Sequence, residues 1–209
     1  MKPIAVMSIA VLTTLGLVAP LQAQDATHLQ KVKTSRALFD IGISNQDPLM
    51  ILAAAKLRKE VPLSAIERAP DGGTATDGSP LEWQDMLASA QLLITGNPIL
   101  EGMADDIIAE RSKGVTDGPV YSIADIRSGG RDTYDNLPFD GGKYAEIYVE
   151  GPAGSDLNLE IRDSQARIVC TDTDISAIAY CGWKPAESGV FHVTVVSENG
   201  GGRYSLMSN

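Results

Sequence analysis

Asp156-Leu157-Asn158-Leu159-Glu160-Ile161-Arg162 decides the fold. Leu157, Leu159 and Ile161 point one way along an extended chain, and Asp156, Asn158, Glu160 and Arg162 point the other. This strict period of two marks a half-buried β-strand. The same period recurs on both sides. Ala145, Ile147 and Val149 share a face within Tyr144 to Glu150, as do Phe191, Val193 and Val195 further on, and then Tyr204 and Leu206. Further strands are expected near Ile168 and Ile178. Turn-forming residues separate them: Gly141-Gly142, Gly151-Pro152, Asp163-Ser164, Glu187-Ser188-Gly189 and Gly200-Gly201-Gly202. Short alternating strands at this spacing predict an antiparallel β-sandwich or jelly roll.

Upstream the period lengthens. Leu29, Val32, Arg36, Phe39 and Ile43 fall at helical spacing, with Gly42 placed as a stop. Asp47-Pro48 and Asn97-Pro98 each pair an N-cap with proline at the first helical position. Ser79-Pro80-Leu81-Glu82 reads as a capping box, ahead of an apolar face of Met86, Leu87, Ala90, Leu93 and Ile94. Leu100, Met103, Ile107 and Ile108 are expected to point inward from the last helix. A helix, a glycine, a capped proline and another helix occur twice, so two helical hairpins packed as a small bundle are expected. The fold class is therefore α+β by separate domains, with a helical bundle over 24–113, a linker at 114–120 and a β-sandwich over 121–209.

Residues 1–23 read as a signal peptide. Lys2 precedes an apolar run from Ile4 to Val18, Pro20 breaks the helix, and Ala23 ends the segment. The run spans about 15 residues against the ~20 needed to cross a bilayer, so removal is expected rather than stable membrane insertion. A periplasmic or secreted destination follows. The 209-residue chain carries a net charge of −10, which disfavours nucleic acid as a partner because like charges repel.

The stretch from about Asp132 to Ser208 resembles the bacterial pre-peptidase C-terminal (PPC) domain. The resemblance lies in Tyr144 to Val149, Asp156-Leu157-Asn158-Leu159, Gly189-Val190-Phe191-His192-Val193-Thr194-Val195 and Tyr204-Ser205-Leu206. These are turn and core positions, so they imply a β-sandwich and carry little about function. Such domains commonly follow secreted peptidases, and nothing upstream here resembles one.

The chain has two cysteines, Cys170 and Cys181, in successive expected strands. An exported protein joins such a pair as a disulfide, here across an antiparallel hairpin. Asp172 and Asp174 flank Thr173 between them, and Asp156 and Asn158 add oxygens if the turns converge. That set is the candidate for calcium, a hard cation that takes oxygen ligands; a solvated turn is the plainer use of the same residues. No other cofactor is implied. Trp183 and Tyr180 are the candidate binding residues, offering aromatic surface to a sugar or peptide, although packing on the disulfide serves Trp183 equally. His192 alternates with Phe191 and Val193 and so faces outward. No Gly-x-Ser-x-Gly elbow, His-Glu-x-x-His helix or phosphate loop occurs in the sequence. The chain reads as an exported, non-catalytic binding protein whose partner is a protein, a peptide or a cell-envelope polymer. The alternative is an accessory module of a secreted hydrolase or peptidase system.

Overall fold

A computed structural model describes residues 26–110 and 118–209. The expected signal peptide and positions 114–117 of the expected linker lie outside the described residues.

Among the described residues, four helices come first: α1 (His28–Asn45), α2 (Pro48–Lys59), α3 (Trp83–Ile94) and α4 (Pro98–Ala109). Asp47 Oδ1 accepts from the amides of Leu49 and Met50, and Asn97 Oδ1 from those of Ile99 and Leu100, so both capped prolines open helices as expected. Gly42 does not stop α1, which runs on to a left-handed Gln46 at φ 53°. A Cβ on Gly42 would stand 2.7 Å from Ile51 Cγ1, so this glycine lets α2 approach α1. The capping box of α3 begins three residues later than expected: the Glu82 amide donates to Asp85 Oδ2 at 3.0 Å. Pro80 is buried and Leu81 packs on the helical core, which holds Ser79 to Leu81 out of the helix. The core of this layer is Ile51, Leu52, Met86, Leu87 and Ile94 with small alanines between them. Ile43, Leu93, Met103 and Ile108, all expected inside, are exposed. Only Ala104 and Ile107 of α4 are buried, so this helix meets its neighbours along one narrow edge.

Among the described residues, nine strands form two packed sheets. One has the order β1 (Ser64–Ala65), β2 (Val120–Ile126), β9 (Gly202–Ser208), β4 (Ala145–Glu150), β7 (Ile178–Trp183). The other has the order β3 (Arg131–Phe139), β8 (Gly189–Asn199), β5 (Asp156–Asp163), β6 (Ile168–Asp172). All pairings are antiparallel except β1 with β2. The architecture is α+β, helices beside a β-sandwich, as the periodicity predicted. Leu157, Leu159 and Ile161, with Val193 beside Ile161 on the neighbouring strand, share the sandwich core with Ile147, Val149 and Leu206 of the other sheet. Strands β2 and β3 escaped the period-two reading. β3 is an edge strand with a register shift between Tyr134 and Leu137, where Asn136 sits at φ 61°, and Pro138 follows on that edge.

The helical stretch is joined closely to the sandwich. Every residue of β4 is buried, on both faces. Its outer residue Tyr148 packs with Met207 against Leu29, Val32 and Val61 of the helical side. Residues before the expected linker also supply β1, and the loop after it bonds to the sandwich through Asp71 N–H to Thr133 O and Thr76 N–H to Ile123 O.

Cys170 and Cys181 form a disulfide with Cα atoms 5.9 Å apart. The expected hairpin between them does not exist. β6 pairs with β5 and β7 pairs with β4, so the bond joins the edge strands of two different sheets. The segment between them crosses from one sheet to the other, and the bond closes that side of the sandwich.

Candidate functional site

Two turns rise at one end of the sandwich and leave a cleft of about 640 Å³ between them. The first is the β5–β6 turn. Asp163 Oδ1 accepts from the amides of Gln165 and Arg167, and Oδ2 accepts from Arg167 Nε at 2.7 Å. Its surroundings alone would raise the Asp163 carboxyl, but the bonds from Arg167 and Gln165 outweigh that and hold it below the ordinary carboxylate value. The second is the β7–β8 loop. Pro185 O accepts from Gly142 N–H at 2.8 Å, and Ser188 Oγ accepts from Gly141 N–H at 2.9 Å. The loop is thereby tied to the β3–β4 turn.

Trp183 forms the inner wall. Its ring lies edge-on to Phe139, with centroids 4.9 Å apart, and tilted on Phe191 at 5.3 Å. Both separations suit attractive aromatic packing. The indole is 9% exposed, and its Nε1 has no hydrogen-bond partner among the described residues. Val169 and Val190 add exposed apolar surface, while Arg167, Lys184 and Glu187 bring charge. The cleft therefore offers an apolar floor, charges of both signs and bonded, pre-shaped turns.

The two expected binding residues do not meet. Tyr180 and Trp183 have opposite parity on β7, so they face opposite sides of the sheet. Tyr180 lies under α1, with its hydroxyl donating to Glu146 Oε1 at 2.6 Å and Lys33 Nζ 4.9 Å from its ring centroid. Burial, then the bond to Glu146, pushes the Tyr180 phenol well up. In the candidate calcium set, Asp172 is engaged by backbone: its carboxylate accepts from the amides of Asp174 and Tyr180. Asn158 Nδ2 donates to Glu198 at 3.4 Å, while Asp156 Oδ1 and Asn158 Oδ1 have no hydrogen-bond partner among the described residues. Among the described residues no group of three or more acidic, histidine or cysteine side chains is placed to hold a metal ion. His192 faces outward, with Nδ1 2.5 Å from Asp135 Oδ1.

The sequence reading passed over Val169, Val190, Arg167, Lys184 and Glu187. A signal for them was present: Asp163-Ser164 and Glu187-Ser188-Gly189 both read as turns, and two turns at one end of a sandwich bound a cleft. A second polar centre, between α1, α2 and β4, was also missed. Glu150 Oε2 accepts from Arg58 Nη2 at 2.9 Å and from the Tyr148 hydroxyl at 2.8 Å, and Arg36 Nη1 lies 3.4 Å from Oε1. Arg36 also holds Asp40 through Nε at 2.9 and 3.0 Å. Burial alone would lower the Arg36 guanidinium, yet Glu150 and Asp40 prevail and leave it above its ordinary value.

No family model matches the chain, and no curated protein matches it in sequence. Among solved structures it is similar to the pre-peptidase C-terminal domain of collagenase from Bacillus anthracis. That match is 17% identical, covers 43% of this chain and 87% of that one, and has a TM-score of 0.34. The C-terminal CBM6 of LamC, a marine laminarinase from Zobellia galactanivorans, is 11% identical over 43% of this chain and 79% of that one, with a TM-score of 0.28. The CspB protease of Clostridium perfringens is 13% identical over 88% of this chain but 40% of its own, with a TM-score of 0.36.

Proposed function

We propose that the protein is an exported, non-catalytic binding module that seats an extended peptide or glycan chain of the cell envelope in the cleft beside Trp183. The observation that carries this reading is the cleft's composition. An apolar wall of Trp183, Val169 and Val190 stands between charges of both signs, on turns fixed by hydrogen bonds. Such a mixed wall suits a chain that alternates apolar faces with amides or hydroxyls. Asp163 accepts from the amides of its own turn and the Ser188 hydroxyl from Gly141 N–H, so both side chains help to fix the turns that bound the cleft. Export is supported by the apolar run up to Val18 and by the Cys170–Cys181 bond, which persists in oxidising compartments.

Co-sedimentation with isolated envelope polymers tests this. The wild-type protein should pellet with one polymer class, and Val169→Glu and Val190→Glu should abolish that without changing the melting temperature. Equal pelleting of both variants would remove the cleft from the account. N-terminal sequencing of the exported protein should begin at Gln24; an intact Met1 would refute export by cleavage after Ala23.

A further inference from the structure

Helix α4 leaves much of its apolar surface uncovered. Only Ala104 and Ile107 are buried, while Ile99 is 76% and Met103 40% exposed. On the facing helix α2, Leu49 is 53% exposed. The two helices bound a groove of about 460 Å³, with buried Leu52 and Ile107 in its lining and Lys56, Asp106 and Glu110 toward one end. Spacings of three and four place Ile99, Gly102, Met103, Asp106 and Glu110 along one stripe of α4.

Two features of that stripe weaken α4, and nothing among the described residues offsets them. Glycine inside a helix is destabilising relative to alanine. At Gly42 a packing reason exists, because a Cβ there would meet Ile51 at 2.7 Å; a Cβ on Gly102 would meet nothing within 4 Å. Asp106 and Glu110 stand at the C-terminal end of α4, where the helix dipole disfavours carboxylates, and no basic residue lies in the last turn. Lys56 comes within 3.9 Å of Glu110, and Asp106 has no ion pair among the described residues. Lys59 reaches the same end, but it donates to the carbonyls of Ile107 and Ile108 and lies over the Trp83 ring.

Local rules broken together on one exposed stripe point to a surface that another molecule completes. The missing side chain at Gly102 admits a close backbone, the apolar row calls for an apolar stripe, and the carboxylates call for cations. An anionic membrane surface is repelled by Asp106 and Glu110, and a second copy of this chain would bring its own Asp105 and Asp106 against them. We propose that the α2–α4 groove, separate from the cleft beside Trp183, docks a basic amphipathic helix of a partner protein. The apolar stripe of that helix covers Leu49, Ile99 and Met103, its backbone passes over Gly102, and its Lys or Arg side chains meet Asp106 and Glu110.

The probe is a short amidated peptide of leucine and lysine with its leucines in a helical stripe, titrated into the full exported chain and followed by backbone amide shifts. Saturable shifts should cluster at residues 49–56 and 99–110 and leave 163–169 and 183–191 in place. A leucine–glutamate peptide of the same pattern should bind at least about tenfold more weakly, because the rim carboxylates then repel it. The leucine–lysine composition reordered without a stripe should lose binding as well. Gly102→Gln touches no described residue and adds a better helix former, so the melting temperature should hold or rise while the peptide is lost. Met103→Lys should lose the peptide with an unchanged melting temperature. The proposal is overturned if the reordered or the glutamate peptide binds as well, if Gly102→Gln binds normally, or if the shifts centre on the sandwich. It is equally overturned if sedimentation of the chain alone shows a dimer that Met103→Lys dissolves, or if phosphatidylcholine vesicles bind the chain and Met103→Lys abolishes it, since the groove would then belong to a second copy or to a membrane.

Discussion

Replacing Glu150 by glutamine tests how the helices are held to the sandwich. The Glu150 side chain is 3% exposed and those of Arg58 and Arg36 are 2% and 5% exposed. Asp40 still balances Arg36 in the variant, but Arg58 has no other charge partner among the described residues, since its remaining bonds go to Ser35 and Val32. An uncompensated buried guanidinium typically costs about 3–5 kcal/mol. For a chain of this size that lowers the melting temperature by roughly 6–20 °C. Urea unfolding followed by circular dichroism measures it. The comparison is Lys31→Ala, which breaks the half-exposed Lys31–Glu60 pair at 2.8 Å and should cost no more than about 1 kcal/mol. Glu150→Gln combined with Arg58→Met should recover part of the loss, because both ends of the pair are then gone. A Glu150→Gln variant within about 0.5 kcal/mol of wild type would refute the reasoning, since a change of that size is ordinary for an uninvolved surface position.

Three further outcomes are expected. Cys170→Ser, Cys181→Ser and the double variant should each lose the same stability, about 3 kcal/mol or less, because all three remove one bond closing a short loop; thiol titration of the native protein should find no free thiol. Burial pushes the phenol of Tyr134 up to about 12 and raises those of Tyr148, Tyr180 and Tyr204 above the ordinary value of 10.0. Their unfolded forms ionise first, so stability should be full below pH 10 and fall as pH rises past it, with these phenolates appearing by ultraviolet absorbance only on unfolding. Calcium or a chelator should leave the melting temperature unchanged, because Asp172 is already bonded to the Asp174 and Tyr180 amides; a calcium-dependent rise would restore the Asp172, Asp174, Asp156 and Asn158 set as a site.

The strands legible in the sequence are those with one wet face. β5 alternates because its outer residues meet water, and Leu157, Leu159 and Ile161 gave the sandwich away. β4 showed only half of its character. Ala145, Ile147 and Val149 read as the inner face, but nothing local says that Glu146 and Glu150 are buried as well. Their partners Thr27, Arg36 and Arg58 lie about a hundred residues away, and charge complementarity across such a distance leaves no periodic trace. Capping chemistry was more reliable, since Asp47-Pro48 and Asn97-Pro98 act on their own next turn. The disulfide was legible from two cysteines and an export segment, whereas its setting was not: sheet membership depends on which way a five-residue crossing runs. Trp183 was recognisable as a binding candidate, yet its companions on Val169 and Val190 carry no special residue type, only a shared end of the fold.

Backbone amide shift mapping with soluble fragments of the envelope polymer that co-sediments is the most direct test of the binding account. The account predicts perturbations that cluster at residues 163–169 and 183–191, the two sides of the cleft, and vanish in Val169→Glu. Perturbations centred elsewhere on the sandwich, such as the outward face around His192, with Val169→Glu binding normally, would contradict it.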